Sequence, residues 1–300
     1  MYRILGIGEL LWDMLPEGPQ LGGAPANYTV MAGRLGDQAA ILSRIGHDEL
    51  GLRALEILEP FPVDCSQLQV DSAQPTGRVT VELNDGQPSY TIHEPVAWDS
   101  FELTEQWQAT VAQADAVCFG SLAQRNERSR ETIHALVQAT RPECLRIFDV
   151  NLRAPFYTAE ILRESLKLAS VVKMNDAEVP MVLGLLELDT AGPFREKAKA
   201  LLGEFSNLTL AAITCGGEGS MLVSPTECQR HPGVNVRVVD TIGAGDAFTA
   251  AMTHYLLRGA PLAVLNEAGN RWGSFVASQS GAMPEIPEEI LHRITKEIEG

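Results

Sequence analysis

The chain has 300 residues, 45% of them apolar, and a formal net charge of −16 at pH 7. That length and apolar share suffice for an extended buried core, in one large α/β domain or two smaller ones. The acidity argues against a nucleic-acid or membrane-surface partner, since both need clustered Lys and Arg, so an anionic ligand must be held by local dipoles and a few placed cations.

The N-terminus, MYRILGIGELLWDM, is interrupted by carboxylates and followed by no small-residue cleavage site, so it reads as a first strand and not as a signal peptide. Gly6 and Gly8 are followed by Leu11 where a dinucleotide-binding GxGxxG needs its third glycine, which removes a dinucleotide-dependent oxidoreductase from consideration. Further along, short apolar runs recur at residues 2–8, 39–46, 114–121, 145–150, 170–175 and 208–214, mostly separated by segments of helical period. Runs apolar on both faces suit a parallel sheet covered by helices, so the expected fold is a three-layer α/β/α, Rossmann-like arrangement. The stretch 76–93 alternates with period two around an Asn-Asp-Gly turn and reads as a hairpin with one wet face. With residues 10–20, and extended to about 98, it is expected to form a small β lid beside the main sheet. No repeat, low-complexity tract or long linker divides the chain, which is expected to be a single domain over 1–300. The five cysteines, Cys65, Cys118, Cys144, Cys215 and Cys228, are scattered and form no CxxC pair, and no window approaches the ~20 apolar residues of a membrane span. A soluble cytoplasmic protein with reduced thiols is expected.

Two glycine-rich turns carry the chemistry. In LGGAPANYTVMAGRLG (21–36), paired glycines precede a proline suited to a helix start, and Asn27 falls in the first turn with an amide that can both donate and accept. Asp13 adds a polar group near a strand end. In VVDTIGAGDAFTAAM (238–252), Gly243 and Gly245 let backbone donors of 243–246 converge on an anion at the positive end of a helix, without the lysine of a P-loop. Asp246 at that place repels a bound phosphate, but it suits a site that also receives an alcohol, whose proton it can accept. Spacing alone fits an ordinary capping carboxylate equally well.

These two segments resemble the first and second signatures of the ribokinase-like, or PfkB, family of carbohydrate kinases, and the opening GELLWDMLP with GGAPAN is most similar to fructokinases. The resemblance covers nearly the whole chain. It implies an ATP-dependent kinase with magnesium, Asp246 as base and Gly243, Ala244 and Gly245 as anion hole. Asp13, Gly23 and Asn27 match positions that hold sugar hydroxyls. DVNLR (149–153) resembles the D-x-N-x-R segment and places Arg153 on the transferring phosphate. KMNDAE (173–178) matches N-x-x-E, with Asn175 and Glu178 bearing on magnesium through water, although a capping pair is allowed by the same spacing. TCGGEGS (214–220) resembles the nucleotide-binding T-x-G-x-x-G-S, giving Thr214, Gly216 and Gly219, with Cys215 a packing residue; Asn270 borders the adenine pocket. Asp240, Ile242, Gln279 and Gly281 resemble a monovalent-cation site for potassium, and a capping or salt-bridged Asp240 fits as well. Trp98 and Phe101 are candidates to close over the sugar, and the lid edge is a candidate homodimer clasp. D-Fructose is the expected acceptor, giving fructose 6-phosphate. Ribose, 2-keto-3-deoxygluconate or a nucleoside are alternatives, as is a catalytically silent binding relative.

Overall fold

The computed structural model describes residues 1–299 except 17, 85, 86 and 190, and gives side-chain surroundings for all of these but 81–90 and 299. In chain order the first half contains β1 (Arg3–Ile7), β2 (Leu11–Leu15), β3 (Gly18–Gly22), α1 (Ala24–Arg34), β4 (Gln38–Leu42), β5 (Arg44–Gly46), α2 (Glu49–Leu58), β6 (Val63–Asp64), β7 (Gln69–Asp71), β8 (Gly77–Asn84), β9 (Gln87–Ile92), α3 (Glu105–Val111), β10 (Ala116–Gly120), α4 (Glu127–Gln138) and β11 (Leu145–Asp149). The second half continues with α5 (Ala159–Leu168), β12 (Val171–Asn175), α6 (Glu178–Leu185), α7 (Phe194–Glu204), β13 (Leu210–Thr214), β14 (Ser220–Val223), β15 (Cys228–His231), α8 (Ala244–Leu257), α9 (Leu262–Ala277) and α10 (Glu288–Glu299).

The main sheet has the order β15-β14-β13-β12-β11-β10-β1-β4-β6. It is parallel from β6 to β13 and becomes antiparallel only at β14 and β15. Successive residues of each parallel strand point to opposite faces. Leu5, Val117, Phe148, Val172 and Ala211 join the core under α4 to α7, while Ile4, Ala116, Ile147, Val171 and Leu210 join the one under α1, α8, α9 and α10. That two-sided burial is why these strands are continuous apolar runs, and it makes the molecule a three-layer α/β/α structure. Among the described residues no helix is long and apolar enough to cross a membrane.

The run 39–46 is not one strand. It breaks at Ser43, so that β4 stays in the main sheet while β5 pairs with β7 in a separate two-stranded sheet. The small sheet expected from 10–20 and 76–93 is present, in the order β3-β2-β8-β9, with β2 parallel to β8. The Asp85-Gly86 part of the expected hairpin turn lies outside the described residues. Its root is fixed on both sides: Leu11 and Val79 enter the main core, and Trp12 packs toward α2 and donates from Nε1 to the Leu50 carbonyl at 3.0 Å. Strand structure stops at Ile92. Trp98 and Phe101 are 0% exposed, with Phe101 edge-on to Trp107 at 5.5 Å, so they support the sheet from beneath and present no open face to a ligand.

Candidate active site

The helix α8 begins at the second glycine-rich turn. Gly243, its N-cap, has φ 75°, and a Cβ there would stand 2.7 Å from Ala282 Cα, so both conformation and space demand glycine. The Ala244 amide turns back to the Thr241 carbonyl at 3.3 Å, which corrects the expected donor set. Among the described residues the amides of Gly243, Gly245 and Asp246 have no intramolecular acceptor, and these three carry the positive end of the helix.

Asp246 is half-buried and accepts from Asn27 Nδ2 at 2.7 Å, a contact that joins residues 219 apart in sequence. Burial first, and then the neighbouring Asp149, lift its carboxyl to about 6, against the opposing pull of Asn27, Lys173 and Arg153. Asn27 is placed by α1, whose N-cap Gly23 has φ 109° and packs so closely that a Cβ would lie 2.4 Å from the Glu9 carbonyl oxygen. Asn27 Oδ1 is buried without a partner among the described residues.

Two buried charges at this site were not singled out from the sequence. Glu9, 2% exposed, follows β1; burial lifts its carboxyl to about 7, with Asp246 adding to the rise and the Glu9 and Ala24 backbone N–H groups and Arg153 opposing it. Lys173, 7% exposed, projects from β12 and pairs with Asp149 Oδ1 at 3.1 Å. The only signal for either was an acidic or basic residue set directly in or after a buried apolar run.

Asp13, in β2, is raised by its burial and by Asp240, and lowered by Arg153. Arg153 is exposed, its one hydrogen bond among the described residues running to the adjacent Leu152 carbonyl at 3.2 Å. Its charge is thus felt by Glu9, Asp13 and Asp246 without being committed to any of them. Asp13, Asn27, Arg153 and Asp246 accordingly share one electrostatic neighbourhood.

Asn175 and Glu178 form the reciprocal capping pair that their spacing allowed: Glu178 N–H donates to Asn175 Oδ1 and Asn175 N–H to Glu178 Oε2, both at 2.8 Å. Glu178 Oε1 also accepts from Leu152 N–H at 2.8 Å, tying this pair to the segment that carries Arg153. Among the described residues no group of three or more His, Cys, Asp or Glu forms a metal cluster. The donor set therefore suits magnesium only as a largely hydrated ion, with one or two protein contacts.

Thr214 ends β13, and Gly216 (φ 52°) and Gly219 (φ 87°) shape the turn into β14, closed by Cys215 N–H on the Gly219 carbonyl at 2.8 Å. Beside it opens a groove lined in part by Phe194, Lys197, Cys215, Glu218 and Arg230. Asn270 is buried and donates to Ser220 Oγ at 2.6 Å, so its amide braces β14 against α9. Asp240 accepts from Ile242 N–H at 2.9 Å and Gly281 N–H at 3.1 Å, fastening two loops together. Gln279 donates to Ser278 Oγ at 3.1 Å. The capping use of Asp240 is thus realised, and a carboxylate is the kind of hard oxygen donor that a potassium ion takes.

Residues 19–289 match the pfkB family carbohydrate kinases. An uncharacterized sugar kinase from Pyrococcus horikoshii, solved in complex with ATP, superposes with a TM-score of 0.84 at 30% identity, covering 98% of this chain and 99% of that one. A fructokinase from Escherichia coli is 29% identical over 310 residues, 95% of this chain and 96% of that protein. The fructokinase of Vibrio cholerae, solved with fructose, ADP and calcium, has a TM-score of 0.83 at 26% identity, covering 98% of this chain and 99% of that one.

Proposed function

The chain belongs to the pfkB family of carbohydrate kinases, and on that premise we propose that it transfers the γ-phosphate of ATP to a hydroxymethyl group of a monosaccharide, with D-fructose as acceptor and fructose 6-phosphate as product. The observation that carries this reading is the placing of Asp246. Its carboxylate, oriented by Asn27, stands in the first turn of α8 beside the unengaged amides of Gly243 and Gly245. A sugar hydroxyl held against Asp246 loses its proton to the carboxylate as its oxygen bonds to the γ-phosphorus and the bond from that phosphorus to the bridging oxygen breaks to release ADP, while the amides take up charge on the phosphoryl oxygens. A free sugar hydroxyl is far less acidic than a carboxyl lifted to about 6, so proton transfer is concerted with attack and alignment does most of the work.

In this reading Asp13, Gly23 and Asn27 orient the sugar, and Arg153, uncommitted at the mouth, follows the transferring phosphate. Thr214, Gly216 and Gly219 receive the nucleotide phosphates and ribose, and the adjoining groove offers Lys197 and Arg230 as cations in an otherwise acidic chain. Magnesium, when bound with the nucleotide near Asn175 and Glu178, neutralises phosphate charge. A potassium ion held near Asp240, Ile242, Gln279 and Gly281 would polarise the turn from behind. Asn270 acts on the adenine side through Ser220. The fructokinase likeness of the relatives supports the choice of fructose. The edge position of β9, unpaired on its outer side among the described residues, supports a homodimer clasp, and five free thiols support a reducing, cytoplasmic setting.

The test is ADP release from MgATP in the presence of a sugar panel. Fructose-dependent turnover is expected, and preference for ribose, 2-keto-3-deoxygluconate or a nucleoside would overturn the acceptor while keeping the chemistry. Asp246→Asn is expected to bind ATP and lose at least ~10²-fold in kcat. Near-wild-type turnover in that variant would return Asp246 to a capping role.

A further inference from the structure

The glycine turn has no lysine of its own, yet the fold delivers one to it. Lys173 Nζ lies 3.1 Å from Asp149 Oδ1 on the neighbouring strand. The Thr249 hydroxyl, one turn into α8, is within hydrogen-bond reach of both Asp149 Oδ2, at 3.1 Å, and the Gly245 carbonyl, at 3.0 Å. A methyl group on Gly245 would stand 3.0 Å from Lys173 Nζ, so the ammonium occupies the space directly against that residue. Lys173, Asp149 and Thr249 are 7%, 4% and 0% exposed, which shields their charges from solvent and holds them in one geometry.

A buried ion pair is a poor device for stability alone, because desolvation offsets most of its attraction and a well-packed apolar pair serves as well. Its position suggests another use. Resting on the kinase reading above, we propose that Lys173 is a positioning residue for phosphoryl transfer. Its ammonium, locked by Asp149, supplies from β12 the positive charge the turn lacks, and Thr249 couples the same lock to the Gly245 carbonyl so that the turn's amides face the phosphate.

The groups facing Asp246 fit this division. Asn27 reaches it from α1, Glu9 from the end of β1, Cys118 from β10, Asp149 from β11, Arg153 from the following loop and Lys173 from β12. Asp149 disfavours the ionised base, while Lys173 and Arg153 favour it. Arg153 is exposed and free to move with the phosphate; Lys173 is fixed. The 3.1 Å ion pair with Asp149 holds the lysine as an ammonium.

The experiment compares Lys173→Met, Lys173→Arg, the paired Lys173→Met/Asp149→Asn and Asp246→Asn by kcat, sugar KM, the pH profile of kcat/KM and thermal unfolding. Lys173→Met is expected to lose at least ~10-fold in kcat, the low side of what loss of a transition-state charge partner costs, with sugar KM changed less than about threefold. The acid limb of kcat/KM should move up by about one pH unit, because the buried cation that offsets Asp149 at Asp246 is then gone. The paired variant removes both charges, so its acid limb should return toward wild type while kcat stays low; Lys173→Arg should keep the limb in place. Wild-type kcat with an unmoved limb in Lys173→Met, whatever its melting temperature, would overturn the proposal. Should that variant not fold, wild-type kcat in the paired variant would do the same. Retained activity in Asp246→Asn would instead strike the kinase reading itself, which keeps the two failures apart.

Discussion

The two glycine-rich helix starts look alike in sequence and are wired in opposite ways. Both α1 and α8 begin at a glycine with positive φ and no capping side chain. At α1 the turn is closed from within: the buried Glu9 carboxyl feels the Ala24 amide, and the Glu9 carbonyl closes over Gly23. At α8 the amides of Gly243, Gly245 and Asp246 are left for something else, and a lysine sits against the turn from the sheet side. A helix terminus becomes a receiving site only where no internal acceptor has taken it.

Substitutions at the two turns should separate these uses. The largest effect belongs to Gly23→Ala, where φ 109° and a Cβ 2.4 Å from the Glu9 carbonyl oxygen leave no relaxed solution. A loss of about 3 kcal/mol in stability is expected by denaturant unfolding, and a loss under about 0.5 kcal/mol would mean that the closed wiring of α1 is not needed. Gly243→Ala should be milder for the fold and act on catalysis, with a roughly tenfold fall in kcat, equal to about 1.4 kcal/mol, as the turn moves off Ala282; unchanged kcat would dissociate the α8 turn from the chemistry.

The smallest effect is a pH dependence at Glu9. Its carboxyl rises from an ordinary 4.5 to about 7, so the native state retains a proton that the unfolded chain has released. Stability present below pH 4.5 is therefore lost as pH rises toward 7. Glu9→Gln escapes that loss. Relative to wild type it should gain about 1 kcal/mol or more between pH 5 and pH 8. A pH-independent difference would show that Glu9 is an ordinary surface-like carboxyl.

Much of this was legible because it is written in local pattern. Buried parallel strands are apolar on both faces, so Ile147–Phe148 or Val171–Val172 announce themselves, and positive-φ turns demand glycine, so Gly23 and Gly243 do too. What stayed hidden depends on partners remote in sequence. Lys173 reads as an interruption of SVVKMN until β11 brings Asp149 beside it and α8 brings Thr249, 100 residues from Asp149. Glu9 reads as part of GELLWD until α1 folds over it. The antiparallel edge β14–β15 is short and partly polar, CQRH in its last strand, and gave no apolar run to find. Trp98 and Phe101 were expected near a ligand because aromatic residues in a variable loop suit that task; the core claimed them instead.

Beside the packing of Leu11, Trp12 and Val79, the first hairpin of the small sheet is joined along the chain through Gly8, Glu9 and Leu10 on one side and through Gly23 alone on the other. Any swing of that hairpin must pass its torque through these links, which also seat Asn27 against Asp246. Any inward movement of the hairpin would therefore tension the joint that holds Asn27 against Asp246, coupling the small sheet mechanically to the first turn of α8.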